Sequence, residues 1–220
     1  SRDERLRMEA MRTLRDSRLA GRFDVLARLA GDAKSPLAMR AGALVGLAED
    51  AREDTRKLLV RLAADTASAI RHEALRSLRG RKLYQAEQNA LKAAARRDPH
   101  TAALVDRVLE PAKKPQRPAA TDLDAWLKRL DGPADAAAGR RVFFHSKSAG
   151  CYRCHGYNGR GATIGPDLSL TGRQLDRRRL VESILQPSQE IAPQFYIWTV
   201  ETVDGRTFSG MLIEESAAGR

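Results

Sequence analysis

Three stretches of this 220-residue chain carry one pattern. Arg7-Met8-Glu9-Ala10-Met11-Arg12-Thr13-Leu14, Arg40-Ala41-Gly42-Ala43-Leu44-Val45-Gly46-Leu47 and Arg71-His72-Glu73-Ala74-Leu75-Arg76-Ser77-Leu78 begin 33 and then 31 residues apart. In each, Ala, then Leu or Met, then Leu follow the Arg at offsets 3, 4 and 7, which on a helix of 3.6-residue period is one apolar stripe. Upstream of two of them lies a partner helix, Val25-Leu26-Ala27-Arg28-Leu29-Ala30 or Leu58-Leu59-Val60-Arg61-Leu62-Ala63, with Asp32 or Asp65 in the turn that follows. A recurring helix pair cannot bury its apolar face alone and must stack on its neighbours, which predicts an α-solenoid; a plain bundle of Ala-rich hairpins satisfies the same pattern.

These segments resemble HEAT repeats, whose second helix commonly carries an Arg and an Ala three residues on. The resemblance covers about residues 5–110 and implies a concave, Arg-rich face on which partners dock. Helices over 84–97 and 100–109, the second begun near Asp98-Pro99, are expected to close the array. With 42% apolar but only 5% aromatic residues, the chain suits helices packed through small side chains. Pro111-Ala112-Lys113-Lys114-Pro115-Gln116-Arg117-Pro118-Ala119-Ala120 has three prolines and no apolar periodicity, so it reads as an extended linker. The expected domains are therefore 1–110, helical repeats; 111–120, Pro/Lys linker; and 121–220. In the last, Thr121 is expected to cap a short helix holding Leu123, Trp126, Leu127 and Leu130, and Asp131-Gly132-Pro133 to break the chain before a helix running through Phe144.

Charge divides as the domains do. Residues 1–120 hold 26 Lys and Arg against 16 Asp and Glu, and residues 121–220 hold 13 against 12. A basic half suits an acidic protein surface, nucleic acid or anionic lipid, and equally a solvated Arg-rich helix face. No run approaches the roughly 18 apolar residues of a membrane span, so no transmembrane segment is expected. A start at Ser1 inside a helical pattern, and a finish at Arg220 without a closing helix, suit a piece of a longer polypeptide.

Both cysteines of the chain fall in Cys151-Tyr152-Arg153-Cys154-His155, a CxxCH, the attachment sequence of c-type haem. The two thiols add to the two vinyl groups of the porphyrin, and the next residue turns its imidazole under the iron as proximal ligand. A bare CxxC also serves as a thiol redox pair or as half a zinc site. Zinc would need two more ligands, and the remaining candidates are only His72, His100 and His145; a thioredoxin-like pair would need a βαβ unit, which the pattern lacks.

Gly165-Pro166-Asp167-Leu168 follows, reached through the Gly-rich loop Gly156-Tyr157-Asn158-Gly159-Arg160-Gly161. Here the chain resembles class I cytochromes c. The resemblance implies that the Pro166 carbonyl holds the other ring nitrogen of His155 and that Leu168 packs against the porphyrin. Next come a helix over 178–185, a stop at Pro187, and two alternating runs, Tyr196–Val203 and Arg206–Ile213, around Asp204-Gly205, a strong hairpin signal. With that hairpin, 196–213, the stretch 135–215 resembles the haem-binding domain of the planctomycete and verrucomicrobial type, found at the end of large secreted proteins behind HEAT-like repeats and a dehydrogenase-like propeller. That family takes its distal Met from a Met-Pro segment after the hairpin, which this chain lacks; Met211 is the candidate distal ligand here, or else a core residue of its strand.

The expected fold is mainly α: a HEAT-like α-solenoid followed by a small helical cytochrome c domain with an added β-hairpin. The expected function is electron transfer through one covalent haem c, held by Cys151, Cys154, His155, Pro166 and Leu168, with Tyr196, Trp198 and Arg160 as candidate propionate contacts. The chain reads as an electron-transfer subunit or domain rather than a catalyst. Electrons would come from a dehydrogenase domain or redox protein, in a periplasmic or otherwise extracytoplasmic setting, with the repeats as docking scaffold for an acidic surface and no nucleic acid partner. The alternatives are a haem enzyme or gas-binding module with an open sixth site, and a basic repeat scaffold that binds an acidic partner.

Overall fold

A computed structural model describes residues 3–110, 117–145 and 149–213. Most of the expected linker, 111–116, lies outside the described residues. Among the described residues the chain is mainly α, with eleven α-helices and two small two-stranded sheets. It divides into two compact units, Ser1–Pro115 with Asp135–Val142, and Gln116–Ala134 with Phe143–Arg220.

The first unit holds α1 (Glu4–Asp16), α2 (Arg22–Gly31), α3 (Leu37–Leu47), α4 (Glu53–Leu62), α5 (Ser68–Leu78), α6 (Gln85–Ala95) and α7 (Pro99–Leu109). Each consecutive pair packs, α2 on α3, α4 on α5 and α6 on α7. The helices also form two rows: α1 touches α3, α3 touches α5 and α5 touches α7, while α2 touches α4 and α4 touches α6. The second and third predicted stripes become the core, whereas the first gives it Met11, with Leu14 half-buried and Ala10 exposed. Ala43, Leu44, Leu47, Ala74, Leu75 and Leu78 are fully buried against Leu26, Leu59, Ile70 and Leu91.

Two of the three arginines that mark the repeat, Arg40 and Arg71, are structural. Arg40 sends Nε to the Ala30 carbonyl at 3.0 Å and Nη2 to Asp65 at 2.8 Å. One unit on, Arg71 repeats the link to Asp98 at 2.8 Å and adds bonds to the Asp65 carbonyl and the Thr101 hydroxyl. Asp98 in turn caps α7, accepting the Thr101 amide at 2.8 Å; the Thr101 hydroxyl and amide, with Arg71, hold its carboxyl well below the usual carboxylate range. Arg40 and Arg71 therefore contribute nothing to the expected Arg-rich docking face, because both are buried and paired within the unit. Arg81 does similar work beyond α5: its guanidinium donates to the carbonyls of Ser77, Leu47, Ala48 and Asp50, closing the C-terminal end of α3 that the helix itself leaves unsatisfied.

A ninth helix, α9 (Ala136–Phe143), starts under an Asp135 cap, and its residues through Val142 cluster with the first unit although the sequence places them in the second domain. Charge explains the placement. The buried Glu73 accepts Arg141 Nε at 2.8 Å, and Arg76 pairs with Asp135 at 3.1 Å.

In the second unit α8 (Leu123–Arg129) packs on α11 (Arg177–Leu185), tied by Arg178 to Asp124 at 2.6 Å. The α8 cap is Asp122, whose carboxylate takes the Ala125 amide, and not Thr121 as the sequence suggested; Asp reaches the same amide with a charged acceptor. Short strands β1 (Gly156–Tyr157) and β2 (Arg160–Gly161) pair antiparallel, a one-turn helix α10 (Thr171–Gln174) leads to α11, and β3 (Ile197–Glu201) pairs with β4 (Thr207–Met211). The Asp204-Gly205 turn lies between them. Thr202 accepts the Gly205 amide, and Gly205 sits at φ +78, a left-handed position that the missing Cβ permits.

Candidate functional site

Gly150 turns the chain into one tight 3-10 turn, Cys151–Arg153. The amides of Cys154 and His155 both bond back to the Cys151 carbonyl, at 3.2 and 3.0 Å. Side chains three apart on such a turn eclipse one another, so the two thiols share a side, with Cys151 half-buried and Cys154 exposed. Both thiols are free.

From His155 the chain enters β1. The strand returns as β2 after Asn158 and Gly159, both at positive φ, the geometry of a two-residue primed turn. The segment 165–169 is laced to this region by backbone bonds: Gly165 N donates to the Cys154 carbonyl at 2.7 Å, and Leu168 N to the Gly156 carbonyl at 2.8 Å. Between those two links the Pro166 carbonyl stands 2.9 Å from His155 Nδ1. A carbonyl only accepts, so Nδ1 carries the proton, and in the neutral imidazole the lone pair is then on Nε2. Gly165 makes this approach possible, since a Cβ there would lie 2.7 Å from His155 Cε1 and 2.9 Å from Nδ1.

Aromatic rings gather beside the turn. Phe144 is buried, with Phe143 at 4.9 Å and Tyr152 at 6.0 Å between centroids, and the Arg160 guanidinium lies 4.2 Å over its ring. Arg160 therefore stacks on Phe144, whereas Tyr196 and Trp198 sit exposed on the hairpin segment.

Of the residues singled out in the sequence, the fold brings together Cys151, Cys154, His155, Pro166 and the half-buried Leu168. Met211 lies at the end of β4 opposite Ile197, half-buried, and among the described residues no hydrogen bond or strand pairing ties the hairpin to that group. The sequence reading missed three contributors. Asn158-Gly159 is a hairpin signal obscured by strands of two residues; Phe144 with Arg160 left no periodic trace; and Asp167 with Ser169 is a local polar turn.

Two thiols in no disulfide on one side of a turn, and an imidazole whose Nδ1 faces a carbonyl, could hold a planar metal-bearing group through two sulfurs and one nitrogen, and a bare pair of thiols could also exchange between dithiol and disulfide. Among the described residues no group of three or more His, Cys, Asp or Glu side chains gathers as a cage for a bare ion. No protein-family model, no curated protein and no solved structure matches this chain.

Proposed function

We propose that the second unit is a single-haem c-type cytochrome domain that transfers electrons, and that the first is a HEAT-like α-solenoid serving as its docking scaffold. The observation that carries this reading is the 2.9 Å approach of Pro166 O to His155 Nδ1, one turn from two free thiols. A carbonyl at Nδ1 fixes the tautomer and ring plane and makes Nε2 a stronger donor, which is what a proximal iron ligand requires.

A second support is the unit's unfilled apolar demand. Ile164, Leu170, Ile184, Trp198, Val200 and Phe208 are all exposed, and among the described residues of this unit the buried apolar ones are Phe144 and Val181. A porphyrin offers the broad apolar surface these side chains lack. Solenoid support comes from the two rows of helices and the repeated Arg40–Asp65 and Arg71–Asp98 links.

In this reading Cys151 and Cys154 would hold the group through two thioethers, each made by addition of an S–H across a vinyl double bond with no net redox change. His155 supplies Nε2 while Pro166 holds the Nδ1 proton, and Leu168 contributes apolar cover. The bound group supplies a one-electron Fe(III)/Fe(II) couple. No side chain has to move a proton, and the chain's task is to orient, exclude water and set the potential. Electrons arrive from a dehydrogenase domain or redox protein, in an extracytoplasmic compartment where such attachment occurs, and basic side chains outside the buried ladder meet an acidic partner surface.

The test is the optical spectrum of chain produced with a c-type maturation system, oxidised and dithionite-reduced, with a pyridine haemochrome and a haem stain after denaturation. Haem that survives denaturation with sharp reduced bands is the expected result. A high-spin spectrum would favour an open sixth position and a gas-binding or catalytic role, and chain free of haem from a competent host would overturn the reading.

A further inference from the structure

Something must hold the Pro166 carbonyl where it is, and backbone bonds secure only part of the segment. Gly165 and Leu168 are laced to Cys154 and Gly156, but the far end, at Ser169, is closed by side chains. The Ser169 hydroxyl accepts the Asn158 amide at 2.7 Å, reaching across to the primed turn. Asp167 Oδ1 accepts the Ser169 amide at 2.7 Å, fixing the residue that carries that hydroxyl. The Asp167 carboxylate also packs against β1, for a Cβ on Gly156 would lie 2.7 Å from its Oδ2. The two side chains thus clip 165–169 onto 154–158 on the side away from Gly165, with Pro166 between the fastenings.

From this we infer that Asp167 and Ser169 are positioning residues: together they hold the Pro166 carbonyl on His155 Nδ1 and so set the donor strength of Nε2. Neither touches the imidazole. Their action is mechanical and passes through the backbone. The functional consequence rests on the proposed role of His155 as iron ligand, but the clip itself is a property of the haem-free chain. If it is released, the Nδ1–H bond to Pro166 is made part of the time, the imidazole donates less, and the oxidised iron is stabilised less, so the reduction potential rises.

Two measurements separate the clip from the haem. In full-length chain without haem, the 15N shifts of the His155 ring report its tautomer. The wild type should be held as Nδ1–H, whereas Ser169→Ala and Asp167→Ala should at least double the Nε2–H population, the form that free imidazole prefers. Asp167→Asn, which keeps the acceptor for the Ser169 amide and loses only the charge, should remain as the wild type. In haem-loaded chain the two Ala variants should raise the reduction potential with haem content unchanged, and the Asn variant should not. An unmoved tautomer in both Ala variants overturns the inference whatever the haem does. Asn shifting the potential as far as Ala also overturns it, since charge and not the clip would then be responsible. Failure of the wild type to attach haem sinks the reading of the site, and the tautomer populations still decide the clip.

Discussion

The first unit closes its own core and the second does not. In the first, Leu44, Leu47, Leu75, Leu78 and their partners are fully buried, and the charged side chains among them, Arg40, Arg71 and Glu73, are each paired. In the second, both strands of the hairpin are exposed almost throughout, and large apolar side chains such as Ile184 and Phe208 face solvent. A two-stranded hairpin alone is at best marginally stable in water. The difference teaches that one region's sequence is written for its own neighbours, while the other's order rests on local hydrogen bonds around one turn and leaves large apolar side chains exposed.

The largest expected effect follows directly. Chain without haem should be cut by protease first within 143–213, while 4–109 and 135–142 resist; attachment of haem should lengthen the half-life of the second unit at least tenfold and leave the first unchanged. Equal resistance of both units without haem would break the comparison. Cys151→Ala with Cys154→Ala should abolish the protection, as a haem stain on a denaturing gel would report.

Within the first unit the contrast is sharpened by truncation. Leu75→Ala removes a fully buried side chain and should cost about 2–5 kcal/mol in urea unfolding. Arg71→Ala removes the ion pair to the partly exposed Asp98, which keeps its Thr101 bonds, and takes the donor from three further acceptors, for roughly 1–3 kcal/mol. In the second unit Ile184→Ala, at an exposed position, should stay within about 0.5 kcal/mol in haem-free chain. A cost there comparable to that at Leu75 would mean that the second unit has a core of its own.

A smaller and more local effect is expected at Gly165. An added Cβ would press on the His155 ring, which can turn away, so Gly165→Ala should leave unfolding of the first unit unchanged while displacing the imidazole. The readout is the ring tautomer in haem-free chain and an altered spin state or potential in loaded chain. An unaltered ring would show that the close approach is not what orients His155.

What the sequence disclosed follows the same division. The stripes at Arg40 and Arg71 are legible because burial repeats at helical spacing, whereas the one at Arg7 is buried only at Met11; α6 and α7 fall within a few residues of the expected bounds. The purpose of the arginines was not legible, since an Arg bound to an aspartate 25 residues on looks, in sequence, like one facing solvent. Around the turn, CxxCH named the thiols and the imidazole by spacing alone, and the cytochrome resemblance anticipated the Pro166 carbonyl. Asn158-Gly159 passed as loop because no alternating strand flanks it, while Asp204-Gly205 was read at once because its strands alternate. The side chains that fix geometry, Asp167, Ser169 and Phe144, act through contacts that no periodicity records.

The smallest expected effect concerns pH and belongs to the first unit. His72 is buried on α5, its Nε2 3.0 Å from the Thr101 hydroxyl and its ring 4.3 Å from that of His100, with Arg71, Arg76 and Asp98 close by. Burial above all, with His100 and Arg71, pushes its proton affinity below the ordinary histidine value, and Asp98 offsets this only in part. The folded chain therefore refuses a proton that the unfolded chain accepts near pH 6.5. Stability from this group is complete above that pH and declines as pH falls toward the lower folded value, by at most about 1.4 kcal/mol per unit for one proton. Urea unfolding of the first unit at pH 7.5 and 5.5 should show the decline in wild type and a shallower one in His72→Gln. Equal slopes would mean that His72 takes its proton as readily folded as unfolded, and that the self-contained unit tolerates a charge in the one place where its packing leaves a histidine no room for it.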